Sequence, residues 1–114
     1  MNIQELGAIM EHQLDIKMII LNNNFLGMVK QWQDMFFDGR FVGTPMQNPD
    51  FLKIAEAYGI LGELVSKQSD VIPALKRARA HEGAYLVVFE TDIEETVLPM
   101  IASGAPFSEM KITK

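Results

Sequence analysis

The chain of 114 residues contains no cysteine, which excludes disulfide bonds and thiolate metal sites. Its two histidines, His12 and His81, lie far apart and lack the spacing of a metal-binding pair. Positive charge is also sparse, because 10 Lys and Arg face 15 Asp and Glu and no basic run exceeds Lys76-Arg77. Since nucleic-acid binding needs clustered basic residues, no nucleic-acid partner is expected.

Long apolar runs are missing as well. None approaches the ~20 residues that a membrane helix needs, and the first residues lack the basic-then-apolar order of a signal peptide. We therefore expect a cytoplasmic protein that does not contact a membrane. The chain also has no Gly-x-Gly-x-x-Gly motif, no phosphate loop and no Ser-His-Asp or Cys-His set, so no residue is predicted to be catalytic.

What the sequence does contain is an alternation of helical and strand patterns, with 48% hydrophobic residues, enough for one packed domain. The predicted helices are residues 3–13, 26–37, 49–58 and 69 or 70 to about 81, and the predicted strands are residues 16–21, 60–66 and 84–90. Ser69 or Asp70 is predicted to cap the last helix, with Pro73 in its first turn. Residues 36–49 form a long loop, and the tail from about residue 91 is irregular. This order predicts an α/β fold with a parallel sheet of about three strands and flanking helices.

Three asparagines, Asn22-Asn23-Asn24, follow the first predicted strand, and Gly27 begins the next helical pattern. Loops at the carboxyl ends of parallel strands often hold ligands, and the side-chain oxygen of asparagine suits a hard cation such as Mg²⁺. Asparagines are also common in turns, because they tolerate left-handed backbone and bond their own chain. The triplet alone favours a turn, and both interpretations stay open at this point.

The flanking residues add a resemblance to a known family. Residues 22–33, Asn-Asn-Asn-Phe-Leu-Gly-Met-Val-Lys-Gln-Trp-Gln, closely resemble the thiamine-diphosphate-binding domain of acetolactate synthase (acetohydroxyacid synthase) large subunits. Further segments resemble the same family: Asn48-Pro49-Asp50-Phe51, Val97-Leu98-Pro99-Met100 and the first six residues, which look like the segment after the family's Gly-Asp-Gly signature. The resemblance spans residues 1–114 and implies the C-terminal half of a thiamine-diphosphate-binding fold.

The resemblance implies a metal and cofactor site. The side chain of Asn23 and the backbone carbonyl of Phe25 are expected to bind Mg²⁺, which holds the cofactor's diphosphate together with an Asp of the Gly-Asp-Gly signature that is missing here. Gly27, Met28 and Val29 are expected to lie beside the cofactor.

The resemblance also implies a substrate channel lined by Met28 and Trp32. The two residues are one helical turn apart, and from that spacing alone core packing is the commoner explanation. Asp34 and Asp38, four residues apart and near Arg40, could pair with that arginine, but surface charges are the favoured interpretation.

For the parent enzyme, the resemblance implies decarboxylation of pyruvate and its condensation with a second 2-ketoacid, either pyruvate or 2-ketobutyrate, in branched-chain amino-acid biosynthesis. Thiamine diphosphate and Mg²⁺ are the expected cofactors of this segment, and FAD is bound by another domain of the full-length enzyme. A homo-oligomer and a regulatory small subunit are expected for that enzyme. The chain alone is expected to be inactive, because the metal-binding Asp and an activating Glu are missing.

Two alternatives stay open. The first is another thiamine-diphosphate enzyme, such as glyoxylate carboligase, sulfoacetaldehyde acetyltransferase or a catabolic acetolactate synthase. Trp32 favours the biosynthetic synthase, because bulk at this position shapes the choice of acceptor. The second alternative is a non-catalytic α/β module that binds a partner protein, for which Asn23 has no role.

Overall fold

The computed structural model describes residues 2–112 and divides into two compact units. The first unit contains residues 2–23 and 47–91, and the second contains residues 24–46 and 92–112 of the described range. The predicted domain of residues 1–114 thus includes three residues, Met1 and residues 113–114, that lie outside the described range.

Along the described range, helices and strands alternate. The helices are α1 (Glu5–Glu11), α2 (Gly27–Phe36), α3 (Phe51–Ala57) and α4 (Gln68–Ala80), and the strands are β1 (Lys17–Asn22), β2 (Leu61–Val65) and β3 (Tyr85–Glu90). A short 3₁₀ helix spans Phe107–Glu109. None of the helices among residues 2–112 has the length and apolar character needed to cross a membrane.

The first unit is built on a three-stranded parallel sheet in the order β1-β3-β2. Tyr85 at the start of β3 lies opposite both Lys17 of β1 and Leu61 of β2, and Asn22 at the end of β1 lies opposite Glu90. The carboxyl ends of the strands therefore meet at one edge of the sheet. The predicted α/β fold with a three-stranded parallel sheet and flanking helices is confirmed.

The central strand β3 is buried on both faces, which explains its continuous apolar sequence. Leu86 and Val88 face one core cluster, and Val87 and Phe89 face the other. The first cluster also contains Ile9, Ala55 and Ile60, and the second contains Val65, Ala74 and Ala78. Small buried alanines of α3 and α4, Ala55, Ala74 and Ala78, belong to these clusters, so a helix covers each face of the sheet where β3 passes.

The ends of the helices differ from the sequence prediction. The first helix is α1 at Glu5–Glu11, shorter than residues 3–13. Helix α4 begins at Gln68, so the prediction that Ser69 or Asp70 caps it was wrong. The hydroxyl of Ser69 donates to the carboxylate of Asp70 at 3.0 Å instead of accepting from the helix backbone. Pro73 is the sixth residue of α4 and lies beyond the first turn.

Helix α3 has the side-chain cap that α4 lacks. The Oδ1 atom of Asp50 accepts hydrogen bonds from the backbone N–H groups of Leu52 and Lys53, both at 3.1 Å. The bond from Lys53 is the main reason that the pKa of Asp50 lies below its ordinary value. The helix therefore begins at Phe51, just after the Pro49-Asp50 pair, as a capping residue requires.

A charged cluster joins α4 to the sheet in the first unit. The Nε and Nη2 atoms of Arg77 both donate to the carboxylate of Glu63 on β2, and the hydroxyl of Tyr85 donates to the same carboxylate at 3.1 Å. These bonds, chiefly those from Arg77, hold the pKa of Glu63 below its ordinary value of 4.5. Because the folded-state pKa lies below the unfolded one, the cluster stabilises the fold above about pH 4.5, and this contribution is lost as the pH falls through the folded pKa.

We therefore expect the variant Glu63→Gln to melt a few degrees lower than the parent chain at pH 7, and the difference to be smaller at pH 3. Thermal unfolding followed by circular dichroism at both pH values measures this. Glu56→Gln, at an exposed position on α3, is the matched control and should change neither value. An equal loss at both pH values would contradict a charge-based role for Glu63.

A close approach between β2 and β3 depends on Gly62. A Cβ atom at this position would lie 2.7 Å from the backbone oxygen of Leu86 and 3.1 Å from the Cβ atom of Leu86. Leu86 is the register partner of Gly62 and belongs to the buried central strand, so it has little room to move. Any side chain at position 62 would therefore push the two strands apart.

We expect Gly62→Ala to destabilise the chain by about 1–3 kcal/mol, as overpacking in a core does. Gly7→Ala is the control, because Gly7 lies inside α1 and its nearest contact would be Tyr58 at 4.0 Å. That variant should stabilise the chain by roughly 0.5–1 kcal/mol, since alanine is the better helix former. Urea denaturation measures both, and equal effects of the two substitutions would show that strand spacing is not the cause.

The second unit has little regular structure around α2. Two isolated antiparallel bridges, Phe25 with Pro45 and Met100 with Lys111, organise its loop and its tail. After β3 ends at Glu90, the described tail holds only the 3₁₀ helix and the second of these bridges.

Candidate functional site

The first two asparagines after the apolar part of β1 have different surroundings. Asn22 is the last strand residue: its Oδ1 atom accepts from Nδ2 of Asn48 at 2.8 Å, and its carbonyl accepts from the N–H of Thr91 at 3.0 Å. Asn23 follows directly and is partly buried, not deep in the packing. Asn22 thus secures the strand end, and Asn23 is the first residue past the carboxyl edge of the sheet, where parallel α/β sheets hold ligands.

The second unit begins with Asn24, which has a left-handed backbone (φ 57) that asparagine tolerates better than most residues. Its carbonyl accepts from the N–H of Met46 at 2.9 Å, and the N–H of Leu26 donates to the carbonyl of Thr44 at 2.9 Å. Phe25 therefore lies in a short extended segment, paired with residues 44–46, that leads into α2. The backbone bends at Asn24, as the turn-forming tendency of asparagine favours.

Helix α2 begins at Gly27 without a side-chain cap, and Met28 and Val29 complete its first turn. Both apolar side chains are half exposed, at 51% for Met28 and 48% for Val29. A core residue is buried within its own unit, so core packing does not explain these two. Their expected place beside the cofactor stays a prediction.

An open groove of about 710 Å³ runs along α2 within the second unit. We call it the α2 groove. Its lining residues are Met28, Val29, Trp32, Gln33, Phe37, Arg40 and Val42. Met28 and Trp32, the predicted channel pair, thus line one groove, and the ring of Trp32 packs edge-on against Phe36 with centroids 5.7 Å apart. That this groove is a substrate channel stays a prediction.

Two glutamines of α2 hold the chain segments beside the helix, and sequence reasoning missed both. The amide of Gln31 pairs with both backbone groups of Val97, donating to its carbonyl at 2.9 Å and accepting from its N–H at 2.8 Å. The amide of Gln33 does the same with Val42, at 3.0 and 3.3 Å, and also accepts from the hydroxyl of Thr44. Each side-chain amide thus makes the pair of backbone hydrogen bonds that a neighbouring strand would make with an irregular segment.

Lys30 is an unexpected buried cation of the second unit. Its side chain is 7% exposed, and its Nζ atom lies 3.3 Å from the carboxylate of Glu94 and 5.0 Å from the ring centre of Phe41. An ion pair and an aromatic face together offset the cost of burying the charge. The Lys-Gln-Trp-Gln sequence gave no signal of this burial, because Glu94 is distant in the chain.

The Gln31–Val97 and Gln33–Val42 contacts, which we call the two clamps, can be tested separately. We expect Gln31→Leu to speed hydrogen exchange of the Val97 amide about tenfold, because that N–H loses its acceptor, and to leave Val42 unchanged. Gln33→Leu should do the reverse. Residue-resolved exchange by NMR measures both amides in each variant, and uniform acceleration across the second unit would show general unfolding instead of two separate clamps.

The donor set suits a magnesium ion only in part. Asn23 offers an amide oxygen and Phe25 a backbone carbonyl, both of the hard type that Mg²⁺ prefers. Among residues 2–112, no group of three or more His, Cys, Asp or Glu is placed to hold a metal. Since Mg²⁺ takes six oxygen ligands, these two residues would need a ligand's phosphates, water and a further donor to complete its shell.

Comparison with known proteins gives a family and its relatives. The family model described as "Thiamine pyrophosphate enzyme, C-terminal TPP binding domain" matches residues 1–89. The acetolactate synthase isozyme 2 large subunit of Escherichia coli K12 is 42% identical over 111 residues, which cover 96% of this chain and 20% of that protein. The mitochondrial acetolactate synthase catalytic subunit of Saccharomyces cerevisiae is 39% identical over 109 residues, 96% of this chain and 16% of that protein.

A solved structure is also similar. The thiamine diphosphate-dependent 4-hydroxybenzoylformate decarboxylase of Rhodococcus jostii RHA1 superimposes with a TM-score of 0.72 and 28% identity, covering 82% of this chain and 18% of that one. The chain therefore spans about a fifth of the length of these relatives.

Proposed function

The chain belongs to the family of C-terminal, thiamine-pyrophosphate-binding domains of thiamine pyrophosphate enzymes, and from this premise we propose that it is the cofactor-binding part of an acetolactate synthase large subunit. That enzyme decarboxylates pyruvate and joins the product to a second 2-ketoacid, pyruvate or 2-ketobutyrate. The names of relatives about 40% identical over nearly the whole chain support the proposal.

The observation that carries the proposal is the position of Asn23, directly after the carboxyl end of β1. Asn22, the last residue of that strand, is bonded to Asn48 and Thr91, and it is Asn23 that the resemblance assigns to the metal. In the proposed site the side-chain oxygen of Asn23 and the carbonyl of Phe25 bind Mg²⁺, which neutralises the diphosphate.

When bound, thiamine diphosphate supplies the electron sink that decarboxylation of a 2-ketoacid requires. The residues of this chain position and enclose the reactants. Gly27, Met28 and Val29 form the first turn of α2 beside the cofactor, and the apolar side chains of the last two exclude water. Trp32, one turn further along, narrows the α2 groove and so limits the size of the acceptor.

The remaining parts of the enzyme are proposed from the same resemblance. FAD binding, the activating Glu, a homo-oligomeric assembly, a regulatory small subunit and a cytoplasmic location are properties that we propose for the full-length enzyme. We further propose that the 114-residue chain does not turn over 2-ketoacids by itself, because the described residues hold too few metal donors.

A decarboxylase that forms no new carbon–carbon bond is the nearest competing function, because the similar solved structure is named a decarboxylase. The other carboligases and the non-catalytic module predicted from the sequence compete as well. Product analysis of the full-length protein separates the enzymes: acetolactate and acetohydroxybutyrate identify the synthase, an aldehyde identifies the decarboxylase, and no turnover favours the module.

A chimera tests the proposal. We expect the Escherichia coli isozyme 2 large subunit, with its matching segment replaced by this chain, to form acetolactate from pyruvate. In that chimera Asn23→Ala should raise the Mg²⁺ concentration for half-maximal activity at least about tenfold, since a metal ligand is lost. Steady-state assays across a Mg²⁺ series measure the shift, with the 114-residue chain alone as the inactive baseline.

Asn24→Gly is the matched control, because glycine keeps the left-handed backbone and removes a neighbouring amide that the proposal does not assign to the metal. It should leave the Mg²⁺ requirement unchanged. The proposal fails if Asn23→Ala behaves like this control.

A further inference from the structure

Strand β1 forms one edge of the sheet in the described part of the first unit, because the strand order is β1-β3-β2. Two of its apolar side chains are largely exposed, Ile19 at 54% and Leu21 at 69%. Edge strands offer a row of backbone hydrogen-bonding groups to another chain, and charged side chains commonly protect them. Residues 18–21 in the middle of β1 are all apolar, so this edge lacks that protection.

The hydrogen bonds at the two ends of β1 show which backbone groups lie on its outer side. The carbonyl of Ile16, just before the strand, accepts from the N–H of Tyr85, and the carbonyl of Asn22 accepts from the N–H of Thr91, both at 3.0 Å. Even-numbered residues therefore face β3, since successive strand residues direct their backbone groups to opposite sides. The odd-numbered residues of β1 direct their N–H and C=O groups away from the sheet.

A second copy of β1 fits this edge when it runs antiparallel with Ile19 opposite Ile19. In that register the odd-numbered residues of both copies lie opposite one another and exchange hydrogen bonds, as antiparallel pairing requires. Lys17, the one charged residue of the strand, lies opposite Leu21 of the second copy, so like charges do not meet. The exposed Ile19 and Leu21 side chains of both copies then lie side by side on one face.

The other edge strand, β2, is a poorer template for such pairing. Its central residue is Glu63, and a pair that is symmetric about this centre would bring two Glu63 side chains, each with its bound Arg77, opposite each other. Gly62 beside it has no side chain to bury, and glycine weakens a strand. The uncharged centre of β1 therefore distinguishes the two edges of the sheet.

We infer that β1 is a self-association surface, through which two copies of this chain join their sheets by antiparallel pairing of their β1 strands. The interface is isologous, because the same strand contributes from each copy and the symmetry axis passes through Ile19. Backbone hydrogen bonds set the register, and the apolar side chains of residues 18–21 supply the burial. The inference concerns the edge of this chain's own sheet and does not rest on the proposed function.

Sedimentation equilibrium of the 114-residue chain over a concentration series measures the association. We expect a monomer–dimer equilibrium that Leu21→Lys weakens at least about tenfold, because it places a second lysine opposite Lys17 of the other copy. Leu64→Lys is the matched control, since Leu64 is 50% exposed on the other edge strand, and it should leave the dissociation constant unchanged. Circular dichroism shows whether each variant is folded.

Cysteine substitution tests the register, since the chain has no cysteine of its own. Ile19→Cys brings two thiols to directly opposite positions with Cα atoms about 5.5 Å apart, which a disulfide can bridge. In Leu21→Cys the two thiols are several residues out of line. We expect oxidised glutathione to cross-link the first variant at least about tenfold faster than the second, as measured on non-reducing gels.

Hydrogen exchange followed by NMR needs no substitution. The amides of Ile19 and Leu21 should become protected as the concentration of the chain rises, whereas those of Met18 and Ile20, which face β3, should be protected at every concentration.

A chain that stays monomeric up to about 1 mM would overturn the inference. An equal loss of association in Leu21→Lys and Leu64→Lys, or faster cross-linking at position 21 than at position 19, would overturn it as well. Protection of Ile19 and Leu21 that does not change with concentration would mean that the same chain covers its own edge, which also contradicts the inference.

Discussion

The burial of β3 on both faces is the constraint on which the first unit depends. Val87 and Val88 point to opposite sides of the sheet, and each meets a helix-covered cluster. Burial of this kind requires α3 and α4 on opposite faces and fixes the register of the outer strands, because a shift by one residue would turn each side chain to the wrong face. The register in turn brings Asn22 level with Glu90 at the carboxyl edge.

The second unit is held together mainly by side-chain hydrogen bonds instead of strand pairing. It has few strand pairings, and α2 replaces them with side-chain amides that bond loop residues as a strand would. The amides of Gln31 and Gln33 are therefore engaged by backbone groups of Val97 and Val42.

Patterns within a few residues predicted much of this. The apolar run of β3 and the helical spacing of α2 are local signals, and each corresponds to an observed element. The cap of α4 was predicted wrongly, because Ser69 bonds Asp70 instead of the helix backbone. Arg40 and Asp38 were predicted to be surface charges, and their side chains are 73% and 94% exposed.

The sequence by itself determined the fold class, the family resemblance and the candidate ligand residues, because periodicity and short motifs depend only on neighbours along the chain. Tertiary structure decided which side chains form hydrogen bonds or ion pairs with distant residues. The bonds of Asn22 to Asn48, of Gln31 to Val97 and of Lys30 to Glu94 join residues at least 26 positions apart. Hydrogen-bond geometry over such separations is set by packing, which no local pattern encodes.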